Sequence, residues 1–290
     1  MNAPQIWTTR TLLQWCTDWL KKRGIEDSPR LDGELLLAHA LKTERLQLFL
    51  DLDRPLDSDE LNRFKVLIQR RAQHEPVAYI LGQRDFWTLT LKVRPGVLIP
   101  RPETEHLVER VLAHLPDGEG QPALLELGIG SGAAMLALLS ERPNANGTGI
   151  DIAPEAIACT TENAEACGVA DRLTLLEGDL FGPLEEGTTF AAILSNPPYI
   201  RDDARPDLAP EITLWEPEMA LFSGIDGMEV LRRIVTSATP FLEPGGVLAL
   251  EIGADQGSLV TELLQGHDFL DIRCDKDLAG HDRVVSGVRS

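Results

Sequence analysis

From about residue 104 onward, short apolar segments alternate with longer segments whose apolar residues recur at helical spacing. Short apolar runs bounded by turn residues are typical of buried strands, and the longer pattern is typical of amphipathic helices. A chain that alternates in this way folds into a mainly parallel sheet with helices on both faces, the doubly wound α/β arrangement. This alternation constrains the fold more than any other feature of the sequence.

The pattern predicts seven strands with helices between them. The predicted strands are 123–127, 147–152, 173–177, 190–196, 247–252, 269–274 and 283–288. The predicted helices include 131–141, 154–168, 227–241 and 256–265. Because no helical segment separates the last two strands, we expect the final strand to be antiparallel.

Residues 1–75 are predicted to form a separate small helical bundle. Thr8 or Thr9 can cap a first helix, and Ser28-Pro29 is a typical start for a second. Within residues 76–100, apolar and polar residues alternate as in strands over 77–81 and 86–93, and Gly82 indicates a turn between the two segments. We therefore predict a β-hairpin linker at 76–100 and a catalytic domain over 101–290.

The first predicted strand runs directly into a glycine-rich loop, Gly128-Ile129-Gly130-Ser131-Gly132, followed by a helix. Glycines allow a sharp turn and let a ligand approach the main chain, and the helix start presents free N–H groups. The Gly-x-Gly-x-Gly spacing matches methyltransferases better than the Gly-x-Gly-x-x-Gly spacing of dinucleotide-binding enzymes.

Two further loops follow the next strands. Asp151 is predicted at the end of the second strand, where a carboxylate can accept hydrogen bonds from both ribose hydroxyls of an adenosine. Enzymes that use NAD place a carboxylate in the same way, so Asp151 indicates adenosine rather than a reaction. Asp179 and Leu180, after the third strand, are placed to contact the adenine.

The fourth predicted strand ends in Ser195-Asn196-Pro197-Pro198-Tyr199, at the sheet edge where ligands bind. An amide nitrogen is a poor nucleophile because its lone pair is delocalised into the carbonyl. The Asn196 side-chain oxygen and the Pro197 carbonyl can each accept one N–H bond of an NH₂ group, and the prolines hold this backbone extended. Tyr199 offers a face for stacking. The motif predicts methylation of a planar amide or amino nitrogen.

Charge and cysteine usage exclude several classes of protein. The net charge is −19, and residues 76–290 carry 34 acidic against 15 basic side chains, which disfavours a nucleic-acid channel. The four cysteines form no CxxC pair, and the six histidines show no ligand spacing, so we expect no metal and no disulfide. No apolar stretch approaches the roughly 18 residues of a membrane helix. We expect a cytoplasmic protein.

The motifs together resemble the bacterial peptide chain release factor glutamine methyltransferases, the PrmC/HemK family, over nearly the whole chain. Besides the two motifs above, the resemblance rests on short segments in the linker, at the entrance of the catalytic domain and near the C-terminus: Pro76-Val77-Ala78-Tyr79-Ile80-Leu81-Gly82, Leu98-Ile99-Pro100-Arg101-Pro102-Glu103-Thr104-Glu105, Glu216-Pro217, Gly224-Ile225-Asp226-Gly227, Leu250-Glu251-Ile252-Gly253 and Asp282-Arg283-Val284-Val285. Ile129 stands where the family usually has a small polar residue.

This resemblance implies a class I, Rossmann-like methyltransferase fold of seven strands behind a helical domain that recognises the substrate. It implies methylation of the glutamine in the Gly-Gly-Gln motif of class I release factors, with S-adenosylmethionine as cofactor and S-adenosylhomocysteine as product. The resemblance assigns cofactor binding to Gly128, Ile129, Gly130, Ser131, Gly132, Asp151, Asp179, Leu180 and Asn196. It assigns catalysis to Asn196, Pro197 and Tyr199, and substrate binding to these residues with Pro198, Arg101 and Glu103. We expect a monomer.

Two related activities compete with this interpretation. A ribosomal-protein glutamine methyltransferase would share the catalytic motifs, and only the N-terminal domain and linker distinguish it by resemblance. An adenine amino-methyltransferase acting on DNA or RNA shares the Asn-Pro-Pro-Tyr element but needs a basic channel. A non-catalytic module that kept the fold would more naturally show a degraded substrate motif, whereas residues 196–199 are intact.

Overall fold

The computed structural model describes residues 6–115 and 120–290. The chain divides into two compact units. The first runs through Gly82 and also includes Ala209–Trp215, and the second comprises Gln83–Leu208 and Glu216–Ser290. The assignment of a short segment near residue 210 to the N-terminal unit is not visible in the sequence.

The bounds of the elements follow in chain order. The α-helices of the described residues are α1 (Thr9–Lys21), α2 (Pro29–Leu41), α3 (Arg45–Leu50), α4 (Ser58–Arg71), α5 (Val77–Leu81), α6 (Glu105–His114), α7 (Ala133–Glu141), α8 (Pro154–Ala166), α9 (Pro210–Trp215), α10 (Glu229–Ala238) and α11 (Gly257–Gln265). The strands are β1 (Gln83–Phe86), β2 (Leu89–Lys92), β3 (Ala123–Leu127), β4 (Asn146–Asp151), β5 (Leu173–Glu177), β6 (Phe190–Ser195), β7 (Leu242–Glu251), β8 (Phe269–Lys276) and β9 (Asp282–Arg289).

Side-chain caps fix where the helices of the N-terminal unit begin. Thr8 caps α1 and Asp57 caps α4, and in both cases the third helical residue bonds back to the cap. Pro29 occupies the first position of α2, where its missing N–H costs nothing. The apolar faces of these helices enclose one core that includes Leu13, Leu36 and Phe64.

A buried ion pair brings α9 into the N-terminal unit. The side chain of Arg71 is only 6% exposed and bonds Asp32 at 2.7 Å and Glu211 at 2.6 Å. The indole of Trp215 donates to the carbonyl of Gln73 at 3.3 Å. Because a buried guanidinium must be paired, these contacts hold α9 to α2 and α4.

The prediction of strands at 77–81 and 86–93 is wrong in two places. Residues Val77–Leu81 form helix α5, in which the adjacent Tyr79 and Ile80 are both buried, as strand alternation does not allow. This short helix packs on the N-terminal core, so tertiary packing and not local pattern determines its conformation. The second segment is broken by a turn at Trp87 (φ 56°), which separates β1 from β2. Phe86 itself is buried in the core of the second unit.

The second unit is built on the predicted seven-stranded sheet, in the order β5-β4-β3-β6-β7-β9-β8. The first five strands of this order are parallel, and β9 is inserted antiparallel between β7 and β8, as the missing helix predicted. The strand predictions differ from the structure by a few residues at their ends, apart from β7, which begins five residues earlier at Leu242. The class I methyltransferase fold is therefore confirmed.

Ile129 has a structural role that explains its departure from the family pattern. Its side chain is 2% exposed and belongs to the core on one face of the sheet. A Cβ added to Gly149 of β4 would collide with its Cδ1 atom. The large side chain of Ile129 therefore fills the space that the lack of a side chain at Gly149 leaves. In the part of the chain that the structure describes, no helix is both long and apolar enough to span a bilayer.

We predict that Gly149→Ala lowers the free energy of unfolding by about 1–3 kcal/mol, because the added methyl overpacks the core against Ile129. Chemical denaturation monitored by circular dichroism measures this loss. Adding Ile129→Val removes the colliding methyl and should restore part of the stability. The matched control is Gly266→Ala, whose Cβ would meet its nearest atoms at 3.6 Å with an ordinary backbone conformation. Equal losses at positions 149 and 266 would contradict the packing argument.

Candidate functional site

A large cleft opens at the carboxyl ends of β3, β4 and β6, with an empty volume of about 1140 Å³ that includes its open mouth. The strand β3 has β4 on one side and β6 on the other, so the chain reverses its direction across the sheet here. Doubly wound sheets bind their ligands at such a switch point. The cleft wall contains residues of both sequence motifs that were predicted to carry the chemistry.

The glycine loop forms one wall of this cleft. The backbone N–H groups of Gly128 and Ile129 donate to the carbonyl of Ile150 at 2.8 and 3.1 Å, which fixes the loop to the neighbouring strand. Gly132 adopts φ 82°, and a Cβ there would lie 2.8 Å from Thr160 Cγ2. The backbone conformation and the close packing therefore both require glycine at position 132. Residues 128–131 line the cleft, whereas Gly132 does not.

Asp151 lies at the cleft edge with its carboxylate already partly engaged. One oxygen accepts from the N–H of Gly130 and the other from the N–H of Ala153, both at 2.9 Å. Burial raises the pKa of Asp151, and these N–H donors oppose that rise. Each carboxylate oxygen has a second lone pair, so the group can still accept bonds from a bound diol.

Glu126 is a wall residue to which the sequence analysis gave no role. It is 4% exposed, and its Oε2 accepts from the N–H of Met135 in α7 at 2.9 Å. Burial raises its pKa to about 8, and the nearby Asp151 carboxylate adds to the rise. The signal that could have revealed it is a carboxylate inside the otherwise apolar strand Leu125-Glu126-Leu127.

The loop after β5 is held by Arg233, another residue to which the sequence analysis gave no role. Asp179 forms an ion pair with Arg233 of α10 at 2.5 Å, and both side chains are about half exposed. Leu180 adopts φ 49°, an uncommon conformation for a branched side chain. Asp179, Leu180 and Arg233 all line the cleft, as predicted for the first two.

The first three residues of the Asn-Pro-Pro-Tyr segment form another part of the wall. Asn196, Pro197 and Pro198 line the cleft, and the Asn196 Nδ2 atom donates to Thr104 Oγ1 at 3.1 Å. Tyr199 turns away: it packs on the core, and its hydroxyl donates to Glu251 Oε1 at 3.4 Å. Its pKa is raised above the usual value, chiefly by burial. The predicted stacking face of Tyr199 is therefore not part of the wall.

The backbone of this segment is supported from behind by Gln256. The Gln256 amide donates to the carbonyls of Tyr199 at 3.1 Å and Gly227 at 3.3 Å, and its oxygen accepts from the N–H of Gly253 at 2.9 Å. A Cβ at Gly227 would collide with the Tyr199 carbonyl, so only glycine fits there. Gln256 is 4% exposed, and its bonds are consequently shielded from water.

The sequence analysis assigned both Arg101 and Glu103 to substrate binding, but in the structure only Arg101 is among the residues that line the cleft. Arg101 lines the cleft and pairs with the buried Glu216 at 2.5 Å, and Glu216 also accepts from the N–H of Ile99 at 3.3 Å. The ion pair joins the entrance segment to the segment before Pro217, another wall residue. Glu103 is not among the described wall residues.

Two family models match the chain. The model described as the PrmC N-terminal domain matches residues 11–82, and the model described as the methyltransferase small domain matches residues 104–214. The first match lies within the N-terminal unit, and the second covers part of the second unit together with most of α9.

Individual relatives and solved structures agree with these models. The chain is 41% identical to the release factor glutamine methyltransferase of Geobacter sulfurreducens, over 99% of this chain and 98% of that protein. It is 44% identical to the enzyme of the same name from Vibrio cholerae, over 97% and 96%. A 16S rRNA N2 G1207 methyltransferase from T. thermophilus superimposes with a TM-score of 0.55 at 22% identity, over 72% of this chain and 50% of that chain, which supports the fold alone.

We predict that Arg101→Ala lowers the free energy of unfolding by roughly 2 kcal/mol, because it leaves the Glu216 carboxylate buried without its charged partner. Equilibrium denaturation in urea measures the change. The control is Arg232→Ala, which removes an ion pair with Asp226 whose two members are about half exposed and which therefore contributes little. Similar losses in both variants would argue against a special role for the buried pair.

Proposed function

The chain belongs to the release factor glutamine methyltransferase family, and from that premise we propose that its cleft holds S-adenosylmethionine against the glycine loop and the substrate glutamine against Asn196 and Pro197. The enzyme methylates the N5 atom of the glutamine in the Gly-Gly-Gln motif of class I peptide chain release factors. The observation that carries the assignment of residues is that the glycine loop and the Asn-Pro-Pro backbone line one and the same cleft.

The glycine-loop side of the cleft fits the cofactor. Gly128 and Gly130 leave room for a ligand against the main chain, since a Cβ at either position would meet no atom closer than 4.0 Å. Asp151 retains acceptor capacity for the ribose hydroxyls, and Asp179 and Leu180 border the space for the adenine. When bound, S-adenosylmethionine supplies a methyl group made electrophilic by the positive sulfonium.

The electrostatics of the same wall favour a cationic ligand. Glu126 and Asp151 are carboxylates whose pKa values are raised because burial penalises their charged forms. A ligand that carries an ammonium and a sulfonium compensates for that penalty, since each positive charge stabilises an ionised carboxylate. We therefore add Glu126 to the proposed cofactor-binding residues.

The other wall supplies acceptors for the substrate amide. The Asn196 side-chain oxygen and the Pro197 carbonyl can each accept one N–H of the glutamine NH₂ group, which has two donors. Pro197 and Pro198 restrict the backbone, and Gln256 bonds the loop from behind, so little reorganisation is needed on binding. Fixing both N–H bonds orients the nitrogen lone pair toward the side of the cleft that holds the cofactor.

We also propose that the helical unit recognises the release factor, with residues 1–75 as the recognition domain, 76–100 as a linker and 101–290 as the catalytic domain. The enzyme would act as a monomer in the cytoplasm and would not bind nucleic acid directly. The 34 acidic against 15 basic side chains of residues 76–290 support the last point.

A transfer assay with labelled S-adenosylmethionine tests the substrate assignment. We expect label to enter a purified class I release factor and to be absent from a release factor whose Gly-Gly-Gln glutamine is replaced by alanine. Ribosomal proteins and DNA serve as parallel substrates. Label in a ribosomal protein instead would favour the related glutamine methyltransferase, and label in DNA alone would overturn the assignment.

We predict that Asn196→Ala lowers kcat about 100-fold, because it removes one of two fixed acceptors, while the cofactor dissociation constant changes by less than roughly threefold. Single-turnover transfer and calorimetric binding of the cofactor measure the two effects. The control is Asn146→Ala, an exposed asparagine at the opposite end of β4. Equal losses of kcat and cofactor affinity in Asn196→Ala would contradict an amide-orienting role.

A further inference from the structure

Two buried side chains of α8 bond the glycine loop of the cleft. The hydroxyl of Thr160 donates to the carbonyl of Gly130 at 2.9 Å, and the side-chain NH₂ of Asn163 donates to the carbonyl of Ser131 at 2.9 Å. Thr160 is 0% exposed and Asn163 is 1% exposed. Because water does not reach these side chains, their bonds to the loop are not exchanged for bonds to solvent. The sequence analysis gave neither residue a role.

The strand β2 fixes the orientation of the Asn163 amide. The backbone N–H of Lys92 donates to Asn163 Oδ1 at 2.8 Å, and a backbone N–H can bond only an acceptor. The Nδ2 end consequently faces two carbonyls, that of Lys92 at 3.0 Å and that of Ser131 at 2.9 Å. An amide turned the other way would set its NH₂ against the Lys92 N–H and its oxygen against both carbonyls. Asn163 is therefore a donor to the loop in one orientation only.

One of the five N–H groups of the loop at 128–132 has no acceptor in the part of the chain that the structure describes. The other four bond a carbonyl or a carboxylate of the protein, namely those of Gly128, Ile129, Gly130 and Gly132. The remaining N–H is that of Ser131. Ser131 lines the cleft, so its N–H is the loop donor that is available to a ligand.

The bond from Thr160 sets the direction of this N–H. In a trans peptide the carbonyl and the N–H point in opposite directions, and the peptide between Gly130 and Ser131 is trans. When its carbonyl bonds Thr160, its N–H is directed away from that side chain. Gly130 has φ 58° and no Cβ, so this peptide would rotate readily without the bond. Asn163 holds the carbonyl of the following peptide in the same manner.

We propose that Thr160 and Asn163 are positioning residues for the cofactor, which hold two loop carbonyls away from the cleft and so aim the Ser131 N–H at the carboxylate of the methionine part. That carboxylate is the one anionic group of S-adenosylmethionine. The cleft wall also carries Glu126 and Asp151, whose negative charges disfavour an anion. A directed N–H donor offsets this repulsion, because hydrogen bonds to a charged acceptor are stronger than neutral ones. The inference rests on the proposed function of the cleft and adds the residues that order its loop.

Two ligands separate this role from a general loss of structure. S-adenosylhomocysteine carries the amino-acid carboxylate, whereas 5′-methylthioadenosine has the adenosine and the thioether without it. We expect Thr160→Val, which keeps the shape of the side chain, to raise the dissociation constant of S-adenosylhomocysteine about 10-fold. The dissociation constant of 5′-methylthioadenosine should change by less than about twofold, since it makes no bond of this kind. Titration calorimetry measures both constants, and equal losses for the two ligands would overturn the inference.

Further variants identify the groups involved. Thr160→Ser keeps the hydroxyl and should restore most of the affinity for S-adenosylhomocysteine. Asn163→Asp keeps the acceptor for Lys92 but removes the donors, so we expect the same selective loss as in Thr160→Val. The matched control is Thr161→Val, since this exposed hydroxyl on the next residue donates to the Ile157 carbonyl of its own helix at 2.8 Å. Wild-type affinity in Thr160→Val, or a loss that Thr160→Ser shares in full, would contradict the role of the hydroxyl.

A measurement on the wild-type protein does not depend on the variants at positions 160 and 163. In protein labelled with nitrogen-15 serine, the amide resonance of Ser131 is assigned by its disappearance in Ser131→Ala. We expect its proton to shift downfield when S-adenosylhomocysteine binds and much less when 5′-methylthioadenosine binds. Equal shifts with the two ligands would overturn the inference even if the variants fail to fold. Failure of the proposed function would instead appear as a wild-type protein that binds S-adenosylhomocysteine but transfers no label to release factors.

Discussion

The register of three parallel strands positions everything else at the site. Leu127 of β3 is paired with Ile150 of β4 on one side and with Ser195 of β6 on the other. The next residues along the three strands are Gly128, Asp151 and Asn196, so the glycine loop, the proposed ribose acceptor and the proposed amide acceptor begin at one level of the sheet. A shift of one residue in either pairing would move a motif by about 3.3 Å and turn its side chains to the other face.

The structure reinforces this register where the motifs begin. The Ser195 hydroxyl donates to the Leu127 carbonyl at 2.7 Å, and the N–H groups of Gly128 and Ile129 donate to the Ile150 carbonyl. These bonds satisfy polar groups that would otherwise be buried without partners at the ends of the strands. The same bonds that complete the hydrogen bonding of the sheet therefore define the geometry of the cleft.

Buried carboxylates surround the cleft, and each depends on a specific donor. Glu126 accepts from a helix N–H, Glu216 pairs with a guanidinium, and Glu251 accepts from the Tyr199 hydroxyl. Burial of a charged group is unfavourable unless it is paired, so these side chains cost stability in a region where apolar residues would pack well. Glu216 joins two wall segments through its pair with Arg101, and the role that we propose for Glu126 is to favour a cationic ligand.

The sequence by itself determined the alternation of strands and helices, the antiparallel last strand and the positions of the motifs, because these depend on local periodicity and on residues adjacent in the chain. It also named about a third of the wall residues, namely Gly128 to Ser131, Asp151, Asp179, Leu180, residues 196–198 and Arg101. Only the tertiary structure decided that 77–81 is a helix, that α9 belongs to the N-terminal unit, that Tyr199 faces Glu251, and that Arg101 pairs with Glu216. In each of these cases the deciding contact joins the segment to residues distant in the sequence or to a packed core. Local preference is weak enough there for burial and pairing to override it.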